Sequence, residues 1–252
     1  MELTNVVPNT WIELQELTAK YLREAGYNAT TPFQMETARG NVEIDVYVEA
    51  PDELVKKIII ECKFWNTAIP KEKIHAFRTV VNDSGAALGI IISKNGFQSG
   101  AIEAAKYSNI LLLNWNDFIK IIFDKWLLNK VAKLKTESSP LYLYINEMHF
   151  PYERLNDKER VAYNIASAKY EKLRYTCSII SVNFLKQGGL NQDSIYGLDG
   201  FSTYESYFNY LFDEVICAKN EFEEILRYSD VKFSEADFEH ADEMFKFLGN
   251  IF

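Results

Sequence analysis

The order of hydrophobic patterns along the chain predicts an α/β domain with a mixed sheet flanked by helices, followed by a mainly helical region. Three observations carry this prediction. Helix-like and strand-like stretches alternate up to about residue 113; the runs Leu88–Ser93 and Ile110–Leu113 are apolar without alternation; and beyond residue 140 long stretches at helical spacing take over. Continuous apolar runs of that length are expected of strands covered on both faces.

Trp11, Leu14, Leu17, Thr18, Tyr21, Leu22 and Ala25 fall at helical spacing, and Gly26 follows where a helix would stop, so residues 9–25 read as a helix. An extended stretch at 29–35 and a turn at Gly40-Asn41 lead into a strand-like run. A period of two places Val42, Ile44, Val46 and Val48 on one of its faces, with Glu43 and Asp45 on the other. The next run, 57–63, puts Ile58, Ile60 and Cys62 on one side and Ile59, Glu61 and Lys63 on the other. Paired as a hairpin across Ala50-Pro51-Asp52-Glu53, the two runs bring three carboxylates and one ammonium to a single patch.

Pro70 and Lys71 open a helix that continues to about Val81 on a stripe of Ile74, Phe77, Val80 and Val81. The strand 88–93, a helix at 97–107 and the strand 110–113 follow, which makes the last strands parallel. A helix at 116–135 ends the domain. Thr136-Glu137-Ser138-Ser139-Pro140 reads as a linker, giving domains at 1–135 and 140–252. In the second domain helices are expected at 153–186 and 203–228, with a loop holding Gly188, Gly189, Gly197 and Gly200 between them and a last short helix capped by Ser234. The aromatic side chains of this region recur at helical spacing, which favours core packing over a base-stacking surface.

Composition narrows the function. With 48% hydrophobic and 14% aromatic residues the 252-residue chain can bury a sizeable core. Cys62, Cys177 and Cys217 make neither a metal-ligand spacing nor an even-numbered disulfide framework, which suits a reducing compartment. Met1-Glu2-Leu3-Thr4-Asn5 lacks a signal-peptide pattern and no apolar run is long enough to span a bilayer, so a cytoplasmic protein with no membrane partner is expected. Residues 1–135 hold 16 basic and 16 acidic side chains, whereas 136–252 hold 11 and 20, so the net charge of −9 belongs to the second part. A broad basic surface for polyanions is therefore excluded, and any grip on DNA must be local. His75, His149 and His240 are isolated, with no second ligand one helical turn away, and the chain has no phosphate-cradling glycine motif.

Asp45, Glu61 and Lys63 are the residues with chemistry to offer. Phosphodiester hydrolysis needs a hard cation to neutralise charge building on the phosphate, and Mg²⁺ takes its ligands from carboxylates, a backbone carbonyl and waters. Asp45 and Glu61 would supply the carboxylates and Cys62 the carbonyl, while Lys63 would orient the attacking water and Glu43 stands close enough to assist. The same charges also fit the solvated face of a half-exposed hairpin. Against that, Ile58-Ile59-Ile60 is apolar on both faces, and a buried strand ending in Glu and Lys is hard to read as surface.

Together, Gly40 to Asp45, Glu61-Cys62-Lys63, the run Gly85 to Ser93 and the segment Phe97 to Ala105 resemble the Mrr-type restriction endonuclease domain of the PD-(D/E)xK nuclease superfamily, over roughly residues 10–118. The resemblance implies a restriction-endonuclease-like sheet, with Asp45, Glu61 and Lys63 binding Mg²⁺ and carrying DNA hydrolysis, Mn²⁺ able to substitute, and the helix carboxylate Glu16 assisting. Where many members have a Gly-Asp-Gly-rich approach to the aspartate, this chain has Arg39-Gly40-Asn41-Val42-Glu43-Ile44, which alters the lip of the site. The expected activity is a Mg²⁺-dependent deoxyribonuclease of a bacterial restriction or anti-phage system, its C-terminal domain serving a homodimer or larger assembly. Two alternatives stay open: a catalytically silent or partner-activated DNA-binding scaffold component, and a structure-selective or RNA-directed nuclease of the same superfamily.

Overall fold

The computed structural model describes residues 1–37, 40–49, 57–146, 150–188 and 195–251, with side chains to residue 245. The anticipated turn at residues 50–53 and the isolated His149 lie outside the described residues. By its contacts the chain divides into two compact units, Val6–Asn129 and Met1–Asn5 with Lys130–Phe252.

In the first unit the helix α1 (Trp11–Glu24) starts at Thr10, whose side chain accepts a hydrogen bond from the Glu13 N–H, and stops where Gly26 adopts a φ of +87°. A left-handed residue of this kind costs only glycine nothing, and it lets the Tyr27 N–H turn back to the Leu22 carbonyl at 3.0 Å. The chain then forms β1 (Asn28–Thr30), a separate antiparallel hairpin of β2 (Phe33–Thr37) and β3 (Gly40–Ile44), and β4 (Val46–Glu49). β5 (Lys57–Lys63), the helix α2 (Lys71–Asp83), β6 (Leu88–Ser93), α3 (Ser99–Ala105), β7 (Ile110–Leu113) and the first part of α4 (Trp115–Ser138) complete it. The five-stranded sheet runs β1-β4-β5-β6-β7, antiparallel on the β1 side of β5 and parallel on the other, as expected from the βαβ order of its second half.

Each face of the sheet is covered by different elements. One core joins Tyr47, Ile59 and Ile91 to Ile74, Phe77 and Val81 of α2 and Ala101 and Ala105 of α3, and the hairpin adds Met35 and Ile44. Since strand neighbours alternate, Val46, Val48, Ile60 and Cys62, all buried, occupy the opposite face, where α1 packs on β4 and β5 with Leu14, Ala19 and Leu22. One expectation fails here. Ile44 and Val46 do not share a face, because the chain bends at Asp45 and leaves the hairpin to join the main sheet.

Other departures concern boundaries. The expected linker at 136–140 is the last turn of α4 and the start of α5 (Pro140–Tyr144), and Ser138 and Ser139 are buried. Hydroxyls bonded to carbonyls one turn back, as Ser138 to Lys135 and Ser139 to Thr136, let these polar residues sit inside helix. The helix foreseen at 153–186 is broken into α6 (Asp157–Ile179) and α7 (Val182–Lys186) by Ser181, which is extended and caps the second piece. After α8 (Tyr204–Leu226), the final helix α9 (Glu235–Ile251) has 17 residues and is not short. Residues 1–5, expected with the first domain, instead close the start of α8: the Glu2 and Leu3 carbonyls accept from the N–H groups of Tyr204 and Glu205. Tyr144, Phe150, Tyr163, Phe222 and Phe233 pack ring against ring in the second unit, so these aromatics serve core packing, as the helical spacing of the region indicated.

Two outcomes follow from this packing. A Cβ on Gly89 of β6 would lie 2.5 Å from Val81 Cγ2 and 2.8 Å from Phe77 Cε1, so Gly89→Ala is expected to lower unfolding free energy by about 1–3 kcal/mol in urea titrations. Lys135, 7% exposed, donates to the Ser178 carbonyl at 2.9 Å, and burial pulls its pKa down from 10.5 to about 8. The penalty on its charged form is complete below pH 8 and fades as pH rises toward the unfolded value. Wild type should therefore gain roughly 2 kcal/mol over Lys135→Met between pH 7 and 9.5, read as the difference in urea midpoints.

Candidate active site

The bend at Asp45 places its carboxylate beside the end of β5. Because Val46 pairs with Ile60, the residue before Val46 reaches past Ile60 to Glu61 and Cys62. Asp45, 8% exposed, accepts the Cys62 N–H on Oδ2 at 2.7 Å and the Gln15 amide on Oδ1 at 2.6 Å. Its own carbonyl accepts from the Thr31 hydroxyl at 2.7 Å, which fixes the bend. Strand alternation then sends Glu61 and Lys63 to one face and Cys62 to the other; Glu61 and Lys63, each about a quarter exposed or less, form an ion pair.

Burial, and next the Glu61 charge, push the Asp45 carboxyl up to about 6 despite the opposing hydrogen bonds from Cys62 and Gln15 and the charge of Lys63. An aspartate whose ionisation is opposed by burial and by a neighbouring carboxylate is a group that a bound cation would relieve. The Cys62 thiol is driven well up by burial and so is a poor nucleophile. A cleft of about 310 Å³ opens over these groups, lined by Trp11, Asp45, Cys62, Lys63, Phe64 and Trp65. It lies beyond the carboxyl ends of β5 and β6, where Lys63 pairs with Ser93, the usual place for a ligand on a parallel sheet.

Asp45, Glu61 and Lys63 are thus brought together, while the two accessory carboxylates are not. Glu43 is exposed on β3 and accepts from Gln34 of β2 at 2.7 Å, because the bend removes the shared face it was expected to have with Asp45. Glu16 is exposed on α1; its neighbour Gln15, one residue earlier on the helix, reaches the site in its place. Trp11 was also missed as a site residue: its Nε1–H donates to the Cys62 carbonyl at 3.1 Å. A signal for both was present, since Trp11, Gln15, Thr18 and Leu22 recur at i, i+4, i+7 and i+11, and a glutamine inside an apolar stripe needs a buried partner.

The donor set fits a hard divalent ion. Each Asp45 oxygen keeps a lone pair beyond its one hydrogen bond, as does the Cys62 carbonyl, and Glu61 adds a second carboxylate. Among the described residues no group of three or more His, Cys, Asp or Glu converges, so waters would complete such a shell, as Mg²⁺ prefers.

A mixed five-stranded sheet flanked by helices, with a buried aspartate beside a Glu-x-Lys strand end, resembles the restriction-endonuclease fold. Residues 8–122 match the family model described as restriction endonuclease, of the Mrr catalytic type. Similar solved structures include a protein of unknown function, with a TM-score of 0.39 and 18% identity over 66% of this chain and 98% of that one. A repair endonuclease from Pyrococcus abyssi gives a TM-score of 0.31 and 13% identity over 45% of this chain and 50% of its own. The MspJI restriction endonuclease in complex with a 27-mer oligonucleotide gives 0.30 and 9% over 46% and 28%. The chain thus spans half or less of these two endonucleases. No curated protein matches it.

The different placement of Gln15 and Glu16 can be measured. Gln15→Leu removes a hydrogen bond to a buried carboxylate and is expected to cost about 1.5–3 kcal/mol in urea unfolding at pH 7.5. Glu16→Gln should stay within about 0.5 kcal/mol of wild type.

Proposed function

We propose that the domain is a metal-dependent endonuclease that hydrolyses DNA phosphodiester bonds. The observation that carries this reading is that Asp45 and Lys63 line one cleft beyond the sheet, with Glu61 paired to Lys63 and close enough to Asp45 to oppose its charge. Asp45, Glu61 and the Cys62 carbonyl would hold Mg²⁺ or Mn²⁺, which when bound supplies charge neutralisation at the phosphate and a more acidic water. Gln15 and the Cys62 N–H hold the Asp45 carboxylate in one orientation, and Trp11 does the same for the Cys62 carbonyl. Lys63, positioned by Glu61, would orient the attacking water and meet the charge that develops on the phosphate oxygens.

The family likeness supports a role in restriction of foreign DNA. Double-strand cleavage needs two such sites, for which we propose a homodimer or larger assembly through the acidic C-terminal unit. Among the described residues no helix is long and apolar enough to cross a membrane, and the three cysteines are free, which supports a place in the reducing cytoplasm. A second reading, a scaffold that a partner activates, is favoured by the zero charge balance of residues 1–135, since a nuclease acting alone has a polyanion to attract.

Purified protein is expected to cut plasmid, linear, modified or single-stranded DNA with Mg²⁺ or Mn²⁺ and to lose at least about a hundredfold in rate on Lys63→Ala. Equal cleavage by both proteins would reject the catalytic assignment. No cleavage by either, restored by a partner, would favour the scaffold.

A further inference from the structure

Trp11 and Trp65 line the cleft that holds Asp45 and Lys63, and both are open to solvent, at 46% and 37% exposure. Single exposed apolar residues are ordinary, but two indoles at one concave site are not. The Trp11 ring and the Trp65 backbone are held in place. The only polar atom of the Trp11 ring is tied to the Cys62 carbonyl, and Trp11 sits in the first turn of α1, whose capping fixes its backbone. Trp65 follows the end of β5, where Asn95 donates to its carbonyl at 3.0 Å and Lys94 donates to the side chain of neighbouring Asn66 at 3.0 Å. Cations accompany the rings: Lys63 and Lys73 each stand 5.6 Å from the Trp65 centroid, and Lys94 stands 4.3 Å from that of Phe64.

Exposed π faces beside ammonium groups match a nucleotide strand, whose bases stack while its phosphates pair with lysines. An apolar protein surface would match the rings and leave the lysines unanswered. A duplex fits poorly as well, because its base faces are already covered by their neighbours, and a cleft of about 310 Å³ has the size of a small-ligand pocket. We infer that Trp11 and Trp65 form a stacking platform for an unpaired base next to the scissile phosphate, so that the site takes single-stranded DNA, or a strand opened from a duplex, in preference to continuous duplex. The inference rests on the reading of the cleft as a phosphodiester-cleaving site, and names its substrate class.

The test uses the full chain in EDTA, where cleavage does not intervene, with a short single strand carrying 2-aminopurine and the blunt duplex of the same sequence. Fluorescence anisotropy should show the strand bound at least about tenfold more tightly than the duplex, with quenching of 2-aminopurine on binding. Trp11→Ala and Trp65→Ala are each expected to weaken strand binding roughly fivefold to a hundredfold and to leave duplex binding within about twofold. Phe at either position should restore most of the loss, and Trp65→Leu, which keeps apolar bulk without a π face, should not; melting by circular dichroism checks that each variant folds. Equal affinity for strand and duplex, or Ala variants that bind the strand as wild type does, overturns the platform. Cleavage is scored separately with Mg²⁺ or Mn²⁺. Tryptophan-dependent strand binding without cleavage supports the platform and removes the nuclease reading, whereas duplex cleavage undiminished by Trp65→Ala removes the platform and keeps the nuclease.

Discussion

The Asp45 carboxylate joins three parts of the first unit. It takes the N–H of Cys62 at the end of β5 and the amide of Gln15 on α1, at the residue where the chain passes from the β2–β3 hairpin into the main sheet. A buried carboxylate is costly unless its oxygens are satisfied, so these partners are demanded by its burial. Once they are made, the helix, the strand end and the bend have one arrangement relative to one another, and the cleft acquires its floor.

That arrangement also explains the electrostatics. The surroundings of Asp45 desolvate it and place Glu61 near it, and both effects work against its charge; hydrogen bonds and Lys63 compensate only in part. A purely structural carboxylate would be better served by a cationic neighbour of its own. Here the nearest ammonium is already paired with Glu61, which leaves the two acids together short of positive charge. Such a shortfall is the ordinary condition of a site built to receive a divalent ion, and it is expensive in any other role.

Much of the fold was legible in the sequence because burial on both faces writes itself as continuous apolar runs. Leu88–Ser93 and Ile110–Leu113 appear as strands with the bounds read from their composition, and α2 covers the expected stripe. Glu61 and Lys63 were legible too, since a regular strand preserves its period of two up to its last residue. Glu43 was misplaced for the opposite reason: a bend between two strands breaks the period without any glycine or proline to mark it. On α1 the error was one residue. Charge drew attention to Glu16, yet the polar side chain on the apolar stripe was Gln15, and burial, not charge, decides which group faces the sheet. The serines before Pro140 looked like linker because nothing in composition distinguishes a hydroxyl solvated by water from one bonded to its own helix.

The charge distribution ties these points together. Without a net positive surface on residues 1–135, long-range attraction contributes little to capturing a polyanion, and affinity has to be generated within contact distance. Lys63, Lys73 and Lys94 are few, but they stand at the rings of Trp65 and Phe64, beside a cleft that also holds Asp45. On the proposed reading, stacking on the indoles would be insensitive to the Asp45 and Glu61 carboxylates, whereas phosphate binding would be opposed by them until a divalent ion is bound. On the proposed reading a base could be held before the phosphate is, and Asp45, Glu61 and the Cys62 carbonyl would hold the ion that supplies the missing positive charge.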